Sequence, residues 1–566
     1  MTGQPARIVA LGAAVGIGAA LIANVFVFGI GWLNDLLLIS PRSRMMETRT
    51  DLLATATVVV PAIGGLAGGL IHCLIGERRP QAPADLIAAV QSRSGHAPFK
   101  DGLLSGVSAW ISLGFGASVG LYGPIVHLGG TIGSGLARVF RTDVTGGNTA
   151  IACGVAAAIS TVFNAPIAGI LFAHEVILRH FALRAFAPVA VASVLGFVTA
   201  NAVLPQPPLF QVGTVEIRHL WEFGWFVVLG VASAAVAMAY MKAILTMTEY
   251  AGRLPVPAIL RPALAGAGLG LAALWFPEIL GIGAETLRLA FIPGAFTQWE
   301  LLLVLTLKLL ATAWCLGMGF AGGVFSPALV IGSLFGALFG SVLGSALGAE
   351  LSALVVYAVC GMVAVTAPVI GAPLTAVIII FEMTGSYELT IAALASVSLA
   401  NLLASRYYGR SLFDRQLADR GLDLSGGRST IILDSRSIRD LVSDRCVRIH
   451  PETPVEAARR SMGRAGSADA CLVSDDGRYC GTVRLQDLVA VDAKEPVGHW
   501  RDPEAISMSA ETSIWEAMNQ LREFVGEGVP VLDDDSRLLG TVFESDLIDA
   551  YLELLESTRR EEHAAA

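Results

Sequence analysis

Charged residues are scarce in this 566-residue sequence: Asp, Glu, Lys and Arg make up 15% of it, whereas hydrophobic residues make up 54%. A soluble chain of this length usually divides into several domains with about a quarter of its residues charged. Here long stretches carry no charge, among them residues 8–34, 52–76, 102–137, 144–174, 309–349 and 351–381. Since about 20 apolar residues span a bilayer as a helix, these stretches argue against a soluble protein and predict several membrane-spanning helices.

Other features that are missing exclude whole function classes. The net charge of the chain is -9. Binding to nucleic acid phosphates needs a basic face, so nucleic acid is not an expected partner. The seven cysteines are scattered and form no CxxC pair, so neither a disulfide framework nor a metal site is expected. No nucleophile–base pair or phosphate-binding loop stands out either. We therefore expect no enzyme and no required cofactor.

The composition changes once along the chain. Residues 1–415 are apolar and rich in Gly and Ala, and the uncharged N-terminal run suits a retained span better than a signal peptide. Residues 416–433 form a polar linker that contains the run Ser425–Thr430. Two charged modules of mixed strands and helices follow at 434–496 and 497–558, with a tail at 559–566. The sequence thus predicts a membrane domain joined to a soluble α/β pair.

The apolar part contains an internal repeat. Residues 120–129 and 323–332 both read G-x-aromatic-x-P-x-aliphatic-x-aliphatic-G. Downstream, Ala165 precedes Glu175 and Ala372 precedes Glu382, each by ten residues. Two motif pairs in the same order indicate two related halves, which is typical of transporters whose binding sites form where broken helices meet.

Each G-x-aromatic-x-P unit predicts a helix start. Glycine allows close backbone approach, and proline in the first turn begins a helix whose initial N–H groups stay free. These donors and the positive end of the helix dipole bind an anion without a full positive charge. Two such starts, one after Gly120 and one after Gly323, are expected to point at a single anion.

At these residues the sequence resembles the CLC family of chloride channels and chloride/proton antiporters. The resemblance covers residues 5–415 and is carried by G-x-x-G-P at 120–124, FNAPIAGILF at 163–172, GGVFSP at 322–327 and APLTAVIIIFEMTG at 372–385. It implies an all-α polytopic membrane domain with two inverted repeats and broken helices. It also implies cytoplasmic termini and a homodimer in the cell membrane, with a separate chloride or similar anion pathway in each subunit.

The departures from the family pattern concern proton coupling. Tyr122 stands where the family's gating glutamate is expected, and tyrosine, whose ordinary pKa is about 10, is not an anion at neutral pH. Val176 stands where antiporters carry an internal proton-accepting glutamate, directly after Glu175. Both relay carboxylates are therefore missing.

Two hydroxyls that touch the anion in the family also have no counterpart here. Pro80 aligns with the family's serine, and Phe413 aligns with its tyrosine. The pathway must then depend on backbone N–H groups and on Tyr122. The predicted pathway and gate comprise Pro80, Gly120, Tyr122, Gly123, Pro124, Gly323, Val324, Phe325 and Phe413.

Four other polar residues lie in apolar stretches, where ionisable groups suggest function. Because Glu175 and Glu382 recur at matched positions, we expect them to cap or brace helices. His127 and His174 are secondary candidates for a role in permeation.

The soluble part carries its own repeat. Gly481–Leu488 matches Gly540–Leu547, and each copy follows a short strand-like run (470–473 and 528–532). This resembles a tandem pair of CBS modules. In members that bind adenine nucleotides, the motif's Thr and Asp contact ribose and phosphate, here Thr482, Asp487, Thr541 and Asp546. The alternative is a pair that binds nothing and serves as a dimer contact.

Three functions compete. The leading interpretation is a passive, channel-like pathway for chloride or a similar monovalent anion, which the CBS pair regulates. The alternative is a chloride/proton antiporter with a non-standard proton route through water, Tyr122 or a histidine. A third is a membrane sensor in which the anion site is only a receptor.

Overall fold

A computed structural model describes residues 4–563 apart from 93–94, 204–215, 349–350, 423, 425–432, 435, 503–504 and 523–527. The chain divides into two compact units, Met1–Leu422 and Asp423–Ala566. The predicted linker at 416–433 begins inside a helix, because Leu412–Ala418 is helical. The run Ser425–Thr430 lies outside the described residues.

The first half of the membrane unit is helical. Its helices are α1 Gln4–Leu36, α2 Pro41–Met46, α3 Thr50–His72, α4 Pro83–Gln91, α5 Phe99–Gly114, α6 Tyr122–Val139, α7 Val144–Phe163, α8 Pro166–Phe172 and α9 Leu183–Val203. A π-helical segment, Ala173–Leu178, continues α8.

The second half repeats this order. Its helices are α10 Glu222–Arg253, α11 Arg261–Ala273, α12 Ala284–Ala290, α13 Gln298–Gly317, α14 Phe325–Leu347, α15 Leu354–Ile370, α16 Pro373–Thr384, α17 Tyr387–Tyr407 and α18 Leu412–Ala418. A 3-10 turn, Pro277–Ile279, lies between α11 and α12.

Helices of the two halves approach each other through small residues. A Cβ on Gly65 in α3 would lie 2.1 Å from the carbonyl oxygen of Pro262 in α11. Reciprocally, a Cβ on Gly266 would lie 2.1 Å from the carbonyl oxygen of Pro61. In lipid the hydrophobic effect does not drive helices together, so they associate by close backbone approach at small residues such as glycine.

Among the described residues, eight helical segments are long and apolar enough to cross a membrane. Shorter apolar helices, including α15 and α16, accompany them. The chain is therefore a multi-pass membrane protein of broken helices, as its uncharged stretches predicted.

The second unit is an α/β pair. Strands β1 Val447–Ile449, β2 Asp469–Val473 and β3 Tyr479–Arg484 form one sheet, and β4 Met508–Ser509, β5 Gly528–Leu532 and β6 Leu538–Phe543 form the other. Each sheet has one parallel and one antiparallel pairing. The helices are α19 Val455–Ala465, α20 Leu485–Leu488, α21 Ile514–Leu521 and α22 Glu544–His563. The predicted fold class, with its soluble α/β pair, is confirmed.

Candidate anion pathway

The starts of α6 and α14 meet at two glycines. The Gly120 N–H donates to the Gly323 carbonyl at 2.7 Å, and the Gly323 N–H donates to the Gly120 carbonyl at 2.7 Å. A Cβ on Gly120 would lie 2.7 Å from the Gly323 oxygen, and a Cβ on Gly323 would lie 2.8 Å from the nitrogen of Gly123. Only glycine permits this approach, so the motif's first residue joins the two halves.

The first N–H groups of both helices have no partner in the described part of the chain. The N–H groups of Tyr122 and Gly123 in α6, and of Val324 and Phe325 at the start of α14, donate no hydrogen bond to any described residue. The Leu121 N–H, by contrast, donates to the Ser326 hydroxyl at 3.1 Å. Unsatisfied donors at a helix start are an anion-binding arrangement.

A cavity of about 130 Å³ adjoins these starts. It brings together seven of the nine predicted pathway residues: Pro80, Tyr122, Gly123, Gly323, Val324, Phe325 and Phe413. Gly120 is held behind the cavity wall by its bridge to Gly323, and Pro124 is buried in the first turn of α6. The two helix starts and the two substituted family positions therefore share one space.

Tyr122 is buried, with 4% of its surface exposed, and it packs among aromatic rings. Its ring centroid lies 4.3 Å from that of Phe163 and 5.3 Å from that of Phe325, the latter edge-on. Its hydroxyl has no hydrogen-bond partner within the described chain. The ring thus forms part of the cavity wall, and its hydroxyl is a donor and acceptor that the described residues leave unpaired.

The sequence analysis missed Phe163 as a partner of Tyr122. Phe163 ends α7, and its ring also lies 5.2 Å from that of Phe325. The available signal was its place at the head of the FNAPIAGILF motif, but nothing local in the sequence shows which ring it meets. Phe163, Tyr122 and Phe325 together form an aromatic cluster that closes one side of the site.

The loop before α4 offers fewer donors than the other two helix starts. Pro80 has no N–H group. The Gln81 N–H donates to the Ser105 hydroxyl at 2.9 Å, and the Ala82 N–H donates to the Asp85 carboxylate at 2.7 Å. These donors are engaged within the protein, so binding capacity concentrates at α6 and α14.

Arg420 is the only charged side chain among the described residues that line the cavity. Its Nη1 donates to Asp85 Oδ1 at 2.9 Å, and Arg79 donates to both carboxylate oxygens of Asp85 at 2.7 and 3.1 Å. One carboxylate therefore faces two guanidinium groups. Sequence reasoning did not predict this cluster, which joins residues 335 positions apart.

Glu175 and Glu382 each cap a helix of the opposite half. Glu175 accepts from the N–H groups of Leu374 and Thr375 at 3.0 and 2.9 Å, at the start of α16. Glu382 accepts from those of Ile167 and Ala168 at 2.9 and 2.7 Å, at the start of α8. The expected capping role is confirmed by these contacts, and neither residue lines the cavity.

The remaining membrane candidates are not among the residues that line the cavity. Val176 is buried in the π-helical segment, and its side chain has no group that could accept or release a proton. His127 is buried in α6, and its Nε2 has no partner in the described chain. His174 Nδ1 lies 2.9 Å from the His180 carbonyl oxygen.

The two Thr/Asp motifs of the soluble unit differ in their contacts. The Thr482 hydroxyl lies 2.7 Å from that of Tyr479, whose pKa is raised by burial. In the second copy, Arg445 Nη2 donates to Asp546 at 2.8 Å, and the buried Thr541 hydroxyl has no partner in the described chain. Asp487 is exposed. Nucleotide contact by these four residues stays a prediction.

A pair of inverted helical halves, whose free helix starts share a cavity inside a multi-pass domain, defines a membrane protein for small anions. The profile of the voltage gated chloride channel family matches residues 63–405, and CBS domain profiles match residues 438–494 and 497–553. The chain belongs to this family and carries two CBS domains.

Curated relatives include both channels and exchangers by name. The chain is 27% identical over 516 residues to chloride channel protein CLC-f of Arabidopsis thaliana, covering 87% of this chain and 62% of the relative. It is 30% identical to a putative ClcB-like chloride channel protein of Ralstonia nicotianae, covering 64% and 86%. It is 29% identical to the H+/Cl- exchange transporter ClcA of Cronobacter sakazakii, covering 54% and 67%.

Solved structures show the same fold. A eukaryotic CLC transporter superposes with a TM-score of 0.64 at 18% identity, covering 96% of this chain and 99% of the other. A slow cyanobacterial Cl-/H+ antiporter gives 0.64 at 21% identity, covering 73% and 98%.

Proposed function

We propose that this chain conducts chloride or a similar monovalent anion passively, without coupling to protons. The supporting observation is the cavity at the helix starts, where no Asp or Glu is found among the described lining residues. Proton-coupled exchange at this site requires a group that alternately binds a proton and competes with the anion. Tyr122 holds the gate position, and a neutral phenol does not take part in that competition.

The anion is held by backbone donors in this proposal. The free N–H groups of Tyr122, Gly123, Val324 and Phe325 supply partial positive charge from two helix starts. Partial charges hold the anion less tightly than a full positive charge would. The anion can therefore leave the site again, as conduction requires. The neighbouring guanidinium group of Arg420 forms an ion pair with Asp85. Its positive charge attracts anions toward the cavity, and the ion pair keeps it from binding them tightly.

We further infer the assembly and orientation from the family. Two copies associate in the cell membrane, each with its own pathway, and the CBS pair lies in the cytoplasm as a regulatory module. Mass photometry of detergent-solubilised protein tests the dimer, and calorimetry with ATP and AMP tests nucleotide binding.

Flux from liposomes tests the central proposal. Purified protein is reconstituted with a chloride gradient, and external pH and chloride are recorded together. We expect chloride efflux that drives no uphill proton movement. A Tyr122→Glu/Val176→Glu double variant serves as the matched control, because it restores both relay carboxylates. Sustained proton pumping by the wild-type protein, at a fixed ratio to chloride, would show an antiporter with a non-standard route.

A further inference from the structure

Lys308 is a lysine enclosed within the membrane unit. It lies in α13 and has no exposed surface. Its Nζ donates to the carbonyl oxygens of Ile279 and Gly281 at 3.0 and 2.7 Å. Within the described part of the chain, no carboxylate lies within ion-pair distance of this nitrogen. Two neutral carbonyls therefore surround a group that ordinarily carries a full positive charge.

A buried ammonium without a counter-ion is costly, since the loss of hydration is not offset by an opposite charge. Ionisable residues at membrane depth are rare; they pair with one another or, as Lys308 does, with backbone carbonyls, and they mark ion pathways. The pathway proposed above supplies the missing sign of charge, because the occupant in that proposal is an anion. The charged side chain described at its lining, Arg420, is already paired with Asp85.

The geometry places Lys308 near that pathway. A Cβ on Gly283 would lie 3.4 Å from Lys308 Nζ and 3.0 Å from a methyl carbon of Val330. The side chains of Lys308 and Val330 are therefore close neighbours. Val330 follows Phe325 by five residues in α14, which is about 8 Å along a helix axis. The ammonium is thus on the order of 10 Å from the α14 start.

Lys308 also reaches the α6 start through a hydrogen-bonded chain. The Gly281 carbonyl accepts from Lys308, and the N–H of the same residue donates to the Gly116 carbonyl at 2.9 Å. One turn further along α13, the Thr312 hydroxyl lies 3.4 Å from that of Ser118. Residues 116–121 form the loop that leads into α6. The same face of α13 thus supports this loop at two points.

We propose that Lys308 is an electrostatic and positioning residue of the anion pathway, whose ammonium attracts the bound anion and whose hydrogen bonds hold the loop before α6. The inference rests on the proposed anion transport. Two unit charges about 10 Å apart, at an effective dielectric constant of about 20, change affinity roughly tenfold. The charge thus tightens binding without touching the anion.

The test compares variants of the full chain in proteoliposomes. The half-saturating chloride concentration for efflux is measured for the wild type, Lys308→Met, Lys308→Gln and Lys308→Arg. Gln keeps an N–H donor for the carbonyls but removes the charge, which separates electrostatics from support of the loop. Lys242→Met, at an exposed position in α10, is the matched control.

We expect half-saturation to rise roughly tenfold in Lys308→Met and Lys308→Gln, and to stay within about twofold of the wild type in Lys308→Arg and Lys242→Met. Thermal unfolding in detergent verifies that each variant is folded. If either folded neutral variant keeps wild-type half-saturation, or lowers only the maximal rate, the electrostatic role is refuted. Absence of anion efflux from the wild type would instead refute the transport proposal, and this inference with it.

Discussion

Gly120 and Gly323 exchange a reciprocal pair of 2.7 Å backbone hydrogen bonds across the interface of the two inverted halves. Each glycine lies two residues before the first residue of its helix, so the bridge sets the distance between the donors of α6 and those of α14. Neither half completes the site alone. The same symmetry that duplicates the motif in the sequence brings its two copies to one place.

This bridge predicts that Gly120→Ala impairs transport. The added methyl group would lie 2.7 Å from the Gly323 oxygen and 2.9 Å from Pro327 Cδ, so both loops must shift. We expect anion efflux to fall at least about tenfold and the unfolding midpoint to fall by several degrees.

Gly224→Ala is the control for this variant. A Cβ at Gly224 in α10 meets nothing within 4 Å, and alanine is about 1 kcal/mol more favourable than glycine in a helix. Efflux and stability should therefore be retained. If Gly120→Ala behaved like Gly224→Ala in liposome efflux, the bridge would not position the site.

The two capping glutamates predict effects on stability rather than on selectivity. In Glu382→Gln, the amide nitrogen faces an N–H group and one of the two bonds to α8 is lost. Leaving such a donor unsatisfied costs about 1–3 kcal/mol. Thermal unfolding in detergent should show a clear decrease for Glu382→Gln and a similar one for Glu175→Gln.

Glu249→Gln provides the comparison, because Glu249 is 65% exposed and, among the described residues, pairs only with Arg253 on the same helix. Such surface pairs contribute little. Relative efflux of chloride and nitrate should be unchanged in all three variants. A change in that ratio for Glu175→Gln alone would place Glu175 in permeation.

How far the sequence predicted this structure depends on the range of each contact. The helix starts at α6 and α14 were predictable because glycine and proline act within a few residues. The matched spacing of Glu175 and Glu382 predicted caps. It did not show that each caps the opposite half, with partners 199 to 215 positions away.

The missed residues have the same explanation. Phe163 and the cluster of Arg79, Asp85 and Arg420 follow from tertiary packing and leave no local pattern. Lys308 is the only charged residue in α13 after its first turn, which was a visible signal, but its partners are backbone carbonyls that any sequence has. Contacts to backbone groups at long range carry no signature in the residues that provide them.

Phe413 predicts a negative result. Phe413 lines the cavity where the family has a residue with a hydroxyl group, but its side chain has no hydrogen-bond donor. Phe413→Ala should therefore leave chloride affinity within about threefold of the wild type, as measured by isothermal titration, since the backbone donors remain. Loss of binding by a folded Phe413→Ala protein would show that the anion lies elsewhere.

Tyr122 carries the last prediction. Its ring is packed between Phe163 and Phe325 at the cavity wall, and its hydroxyl has no partner in the described chain. Tyr122→Ala removes the ring and should raise anion efflux several-fold, because the space beside the helix starts widens.

Tyr122→Phe keeps the ring and removes a donor, so it should change the relative efflux of chloride and nitrate with little change in rate. Efflux by the wild type should vary little between pH 5 and 8, since a tyrosine phenol, whose ordinary pKa is about 10, stays neutral over this range. Tyr387→Phe, at a tyrosine that is 71% exposed, controls for loss of a hydroxyl at the surface. Wild-type rates and selectivity in both Tyr122 variants would show that the ring only packs, and that the gate is formed by other residues.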